Sequence, residues 1–166
     1  MLFFYGAIGE PKGSLDIMIG QMIQIGITDF GDASVRNELR NLIKTGKVGG
    51  VIRFEKNLQK EDTKVALKKM IEELQKEANI PLFVAIDEEG GYVNRLKPKY
   101  GFPKTVSAAY LGAIDDLDST KFYSTQTAQT LSSLGFNINY APSVDVAINP
   151  NNPVIVKNKR SYSKDP

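Results

Sequence analysis

Ile80-Pro81-Leu82-Phe83-Val84-Ala85-Ile86-Asp87-Glu88-Glu89-Gly90-Gly91-Tyr92-Val93-Asn94-Arg95 is the stretch on which the fold turns. Leu82 to Ile86 is apolar without alternation, as a strand covered on both faces requires, and its length suits a strand. It delivers three acids and a glycine pair at its carboxyl end, with Arg95 eight residues after the first carboxylate. Parallel α/β proteins bind their ligands at that edge. The chain has no histidine and no cysteine. Chemistry at this edge therefore rests on carboxylates, arginine, lysine or hydroxyls.

Outward from this strand, helix-like and strand-like segments alternate. Ser14 is placed to cap a short helix over Leu15 to Gln21, and Met22 to Ile27 reads as a first strand. Asp32 and Ser34 open a second helix, with Val35, Leu39, Leu42 and Ile43 on one stripe, and Gly46 ends it in the left-handed conformation. Val48 to Phe54 is a second strand. Glu61 to Ala78 is a helix on the stripe Leu67, Met70, Ile71, Leu74 and Ala78, with acids at its start that suit the helix dipole. Met22 and Met70 read as core filler. Lys97 to Asp118 reads as a long irregular passage, after which Asp118 or Ser119 caps a helix running to Leu134 and closed by Gly135. Phe136 to Val146 is a fourth strand interrupted by Pro142, and the tail from Asn149 is loop.

Four strands joined by three crossover helices call for an α/β fold with a parallel sheet and right-handed connections. Pattern alone fits two architectures: about half of a TIM-type (β/α)₈ barrel, or a small open doubly wound sheet. Residues 1–14 form an N-terminal arm and residues 15–166 one domain without internal repeat or linker. Met1 to Gly9 is apolar but has no basic flank, which argues against a secretory leader. No run approaches the ~20 apolar residues that span a bilayer.

The 166 residues suffice for one domain with its own core. Basic and acidic residues number 21 and 19 and are interspersed, which gives no case for nucleic acid. Without cysteine or histidine the chain offers no thiolate or imidazole for a metal. Three adjacent acids would suit magnesium beside a phosphate loop, but no such loop is present. No metal and no cofactor is expected.

Asp87-Glu88-Glu89 admits two readings. A strand-end carboxylate followed by glycines clamps sugar hydroxyls or a metal; equally, acids after a strand solvate a loop and paired glycines make a turn. Arg95 and Arg160 present planar donor forks suited to carboxylates and paired hydroxyls, or serve as surface arginines. Asp145, at the end of the fourth strand, reads as a loop-organising aspartate accepting backbone N–H bonds. Glu88 and Glu89 are adjacent and should diverge, which makes them a poor catalytic pair, whereas Asp87 and Asp145 on neighbouring strand ends could in principle flank a scissile bond.

Taken in order, several blocks resemble glycoside hydrolase family 3, and within it the bacterial β-N-acetylglucosaminidases. They are Ile19-Gly20-Gln21-Met22, Gly49 to Phe54, Ala85 to Leu96, Leu134 to Val146, and the segment from Asn149-Pro150 through Arg160-Ser161-Tyr162 to Asp165-Pro166. The resemblance implies a TIM-barrel glycosidase of the β-N-acetylhexosaminidase type. It would release terminal β-linked N-acetylglucosamine from cell-wall fragments with retention, in peptidoglycan recycling in the cytoplasm. It also implies that Asp87 holds the sugar's distal hydroxyls, with Arg95 and Arg160 lining the same pocket as substrate-binding residues. Glu88 stands where the family usually has glutamine, and Tyr92 where it has arginine.

The family's lysine–histidine pair and aspartate nucleophile lie beyond Pro166, so no catalytic residue is assigned in this segment. These 166 residues alone are expected to be inactive and to associate as a homo-oligomer or with a missing C-terminal half. No nucleic-acid or membrane partner is expected. A non-catalytic sugar-binding module and a β-glucosidase of the same family are the alternatives.

Overall fold

The computed structural model describes residues 14–27, 31–53 and 63–166. Helix α1 (Leu15–Gln21) leads into strand β1 (Gln24–Ile27), α2 (Ala33–Lys44), β2 (Gly50–Arg53), α3 (Thr63–Glu77) and β3 (Phe83–Ile86). A 3₁₀ turn (Pro98–Tyr100), α4 (Ala108–Ile114), α5 (Leu117–Leu134) and β4 (Ile138–Asn139) complete it. All pairings are parallel and the strand order is β1-β2-β3-β4. A doubly wound sheet reverses its order at a switch point, whereas a barrel adds each strand beside the last. The consecutive order therefore gives the α/β fold its type: about half of a (β/α)₈ barrel.

Local chemistry explains the boundaries. Ser14 caps α1, its Oγ accepting from the Ile17 N–H. Asp32 caps α2, accepting from the N–H groups of Ser34 and Val35 at 2.7 and 3.3 Å. Gly46 follows α2 at φ +72°, in the left-handed region read for it. Hydrogen bonds from Ser34 hold the Asp32 carboxyl below its usual range, and those from Ser119 do the same for Asp116 at the start of α5. A depressed carboxyl contributes stability above its unfolded pKa and loses it as pH falls through the folded value, so both caps weaken on acidification.

The register puts Ile25, Ile27, Val51, Val84 and Ile86 on one face of the sheet. They pack against Leu39 and Ile43 of α2, Leu67, Met70, Ile71 and Leu74 of α3, and Leu131 and Leu134 of α5. The opposite face carries Gln24, Ile52, Phe83, Ala85 and Ile138, the side that lines the interior of a barrel. Phe83 is 56% exposed there.

Several sequence expectations are corrected. Lys97 to Asp118 is not irregular throughout. Ser107 accepts from the Tyr110 N–H and opens α4, and Asp116, not Asp118 or Ser119, caps α5. The flanking prolines and glycines masked the short apolar helix Ala108–Ile114. Of the expected fourth strand only Ile138–Asn139 pairs as a strand, because the chain leaves the ladder before Pro142, which has no N–H to give. Asparagine side chains extend the pairing instead. Asn137 bridges the Val84 N–H (2.7 Å) and the Leu82 carbonyl (2.8 Å), and Asn139 bridges the Glu88 N–H (2.9 Å) and the Glu88 carbonyl (3.1 Å). Met70 does fill the core, but Met22 ends α1 and is 86% exposed. The leader reading of Met1 to Gly9, residues 1–13 of the arm, Phe54, and the acids Glu61 and Asp62 lie outside the described residues. Among the described residues, no helix is long and apolar enough to cross a membrane.

Candidate active site

Beyond Ile86 the strand alternation continues, and it sorts the three acids. Asp87 falls on the barrel-interior side with Phe83 and Ala85. Glu88 falls on the helix side, and Glu89 again on the interior side. The expected divergence of Glu88 and Glu89 is what the structure has.

Asp87 Oδ2 accepts from Arg95 Nη2 at 3.2 Å, and both side chains keep about a quarter of their surface in solvent. Glu89 is held by Arg160 through a two-pronged fork: Nε donates to Oε2 at 2.9 Å, and Nη2 donates to Oε1 at 2.7 Å. The Glu89 side chain is 8% exposed and that of Arg160 24%. This is the planar guanidinium–carboxylate geometry that lysine cannot reproduce. Glu89, and more distantly Asp145 and Asp87, raise the Arg160 pKa further, so its charge is fixed. Glu89 also raises the pKa of the half-buried Tyr162 phenol, after desolvation as the larger cause.

Of the three residues read as substrate-binding, Asp87 and Arg95 pair directly, while Arg160 pairs with Glu89. The site is two neighbouring ion pairs, not three residues around one carboxylate. Glu89 is the residue that sequence reasoning missed. Its partner lies 71 positions away, and no local periodicity reports such a contact. Arg53, at the carboxyl end of β2, is in register with Ile86 and so falls on the helix side of the sheet, away from Asp87 and Glu89. It is 7% exposed, and burial pushes its pKa down to about 10. A charge closing an apolar strand was the available signal.

Glu88, 4% exposed, does not enter the space beside Asp87. Its Oε2 accepts from the backbone N–H groups of Arg95 (2.8 Å) and Leu96 (3.0 Å) and folds the returning loop onto the strand end. A glutamine side-chain oxygen has the geometry to accept the same two bonds, though without the charge that strengthens them here. Glu88→Ala should cost about 1–3 kcal/mol by stranding the N–H donors, whereas Glu88→Gln should keep the loop closed. Urea unfolding of the two variants reads the difference.

Two glycines shape the turn. Gly90 and Gly91 adopt φ +84° and +59°, and a Cβ on Gly90 would lie 2.2 Å from the Val106 carbonyl oxygen. The turn thus lies directly on the segment that opens α4. On the other flank of that helix, a Cβ on Gly112 would lie 1.8 Å from the Tyr162 carbonyl oxygen. The Ala109 N–H also donates to the Lys159 carbonyl (3.2 Å). The overlooked α4 is therefore the platform that sets Arg160 against Glu89. Behind the pair is a cavity of about 210 Å³ bounded by Glu88, Glu89, Thr127, Asn139 and Tyr162; Asp87 lies outside it. Asp145 is exposed and accepts from the Ser143 hydroxyl at 2.8 Å, a loop contact through a side chain where backbone bonds were expected. Among the described residues, no group of three acids is arranged to hold a metal ion.

The architecture is that of a (β/α)-barrel domain, and its charged cluster lies on the carboxyl edge of the sheet. Residues 14–166 match the model of the glycosyl hydrolase family 3 N-terminal domain, and the chain belongs to that family. It is 39% identical over 135 residues to beta-hexosaminidase A of Pseudoalteromonas piscicida, covering 78% of this chain and 22% of that protein. It is 28% identical over 164 residues to the beta-hexosaminidase LpqI of Mycobacterium tuberculosis, covering 95% of this chain and 38% of that protein. Among solved structures, a family 3 glycosyl hydrolase from Mycobacterium smegmatis superposes with a TM-score of 0.65 at 25% identity, over 93% of this chain and 41% of that one. Native NagZ from Neisseria gonorrhoeae gives 0.59 at 26%, over 75% and 36%. The chain thus spans about a fifth to two fifths of the length of the relatives it matches.

Proposed function

We propose that this segment supplies the sugar-holding part of a family 3 glycosidase that releases terminal β-linked N-acetylglucosamine from cell-wall fragments, with retention. The observation that carries the proposal is the Asp87–Arg95 pair, about a quarter exposed at the carboxyl end of an inner barrel strand. An ionised carboxylate accepts from adjacent sugar hydroxyls, and the guanidinium beside it donates to the next oxygen, the paired pattern that a saccharide rim requires. Glu89–Arg160 braces the same rim from the next turn of chain. The names of the relatives support the N-acetylhexosamine specificity.

Retaining hydrolysis needs a nucleophile and a proton shuttle on opposite sides of the bond. We assign neither to these residues and expect both in the remainder of a complete barrel. The cytoplasm is the compartment that this reading of wall-fragment recycling favours. The exposed interior face around Phe83 is apolar, and covering it by a second copy or by the other half of a barrel would remove it from water.

Hydrolysis of a chromogenic β-N-acetylglucosaminide tests the reading. Residues 1–166 alone should give no turnover. A polypeptide joining them to the remaining barrel should turn over, with kcat/KM falling on the order of 100-fold or more in Asp87→Ala, as for loss of an interaction strengthened in the transition state. Turnover by residues 1–166 alone, or an Asp87→Ala variant of full activity, would overturn it. Sugar binding with no turnover even when the remaining barrel is supplied would favour a non-catalytic binding module.

A further inference from the structure

The two ion pairs at the strand end are not alike. Arg160 grips Glu89 along its Nε–Nη2 edge, at 2.9 and 2.7 Å, and the Glu89 side chain is only 8% exposed. Asp87 and Arg95 share a single contact at 3.2 Å, and both side chains keep about a quarter of their surface in solvent. The first pair is a closed fork, whereas the second can part to admit the hydroxyls of a ligand. Asp87 and Glu89 fall on the same side of the chain two residues apart, so the pairs stand beside each other.

The charges of the two pairs sum to zero, with two carboxylates against two guanidiniums. Glu88 does not disturb the balance, because it turns to the helix side and accepts from the backbone N–H groups of Arg95 and Leu96. Asp145 and Asp87 lie close enough to act electrostatically on Arg160, so any excess around that guanidinium is negative. A neutral sugar suits such a rim, since its hydroxyls donate to carboxylates and accept from guanidiniums. An acidic sugar must shed the water around its own carboxylate, and no unmatched cation offsets that cost.

We infer that Glu89 is a specificity-determining residue: by cancelling the charge of Arg160 it makes the rim select neutral hexosamines over uronic acids. The inference rests on the saccharide reading of Asp87 given above. Without the carboxylate at position 89, Arg160 becomes an unmatched cation beside the sugar and favours a carboxylate there. Glutamine at that position keeps one oxygen to accept from Arg160 while removing the charge.

The test is a calorimetric titration with N-acetylglucosamine and with N-acetylglucosaminuronate, which carries a carboxylate in place of the primary alcohol. The wild-type protein should hold the neutral sugar on the order of tenfold more tightly. In Glu89→Gln the ratio of the two affinities should move toward the acid by roughly tenfold at about 20 mM salt. Most of that shift should vanish at about 500 mM, as screening requires. Arg160→Met strands the opposite charge, and there the ratio should move the other way. The ratio is the readout because a loosened rim weakens both sugars together, and urea unfolding checks that each variant is folded. A ratio unchanged in Glu89→Gln, or moved in the same direction by both variants, would overturn the inference and leave the Asp87 reading standing. So would a wild-type protein that takes both sugars equally. No heat from the neutral sugar with the wild-type protein would sink that reading, and the inference with it.

Discussion

Gly90→Ala should lower stability by about 2–5 kcal/mol and abolish sugar binding together with it. Two costs add. A side chain at φ +84° is strained by roughly 1–2 kcal/mol. The new Cβ would also sit 2.2 Å from the Val106 carbonyl oxygen, a backbone atom that cannot swing aside, and such overpacking typically costs about 1–3 kcal/mol. Relief requires the turn to lift from the start of α4, which drags Glu89 away from Arg160 and opens the loop that returns Arg95 to Asp87. Chemical denaturation gives the first effect, and titration with N-acetylglucosamine the second. An alanine variant of wild-type stability would mean that the turn does not press on residues 105–107.

Arg160→Met should cost about 2–4 kcal/mol, most of it from the glutamate left behind. Methionine keeps much of the side-chain volume, so packing changes little, but the nearly buried Glu89 carboxylate loses all three guanidinium donor contacts, at 2.7 to 3.2 Å. Breaking a fully buried pair costs roughly 3–5 kcal/mol, and the partial exposure of Arg160 brings the expectation down. Arg160→Met combined with Glu89→Gln should recover part of the loss, since no charge is then stranded. A double variant as unstable as the single one would contradict this origin.

Much of this architecture was legible in the chain. Leu82 to Ile86 announced a strand buried on both faces, and the stripes Leu39–Ile43 and Leu67–Leu74 announced the helices that cover it, because burial writes itself into sequence as periodicity. Ser14, Asp32 and Gly46 marked helix ends by side-chain and backbone chemistry that acts within a few residues. What periodicity cannot carry it left open, and the half barrel was reached through the family resemblance instead. The choice between a barrel and a doubly wound sheet depends on strand order, which no single segment encodes. Helix α4 is two turns of small and apolar residues between glycines and prolines, too short for a stripe to show.

The site divides in the same way. Asp87 and Arg95 stand eight residues apart on one strand-loop unit, and local reading brought them together. Arg160 lies in the strand-end cluster, but its partner there could not be read locally, because the contact with Glu89 is made by the packing of Gly112 against Tyr162 and of Gly90 against Val106. Glu88 looked like a third charge in the site. The strand's twofold alternation, continued two residues past Ile86, turns it to the side opposite Asp87.

The most direct measurement is a calorimetric titration of N-acetylglucosamine into the protein and into its Asp87→Ala variant. At about 0.3 kcal/mol per heavy atom, a monosaccharide of this size held by one carboxylate–guanidinium rim should bind with a dissociation constant of about a millimolar. The variant should show at least a tenfold loss while unfolding at the same denaturant concentration. Equal heats from both proteins would contradict the assignment of the sugar to this strand end.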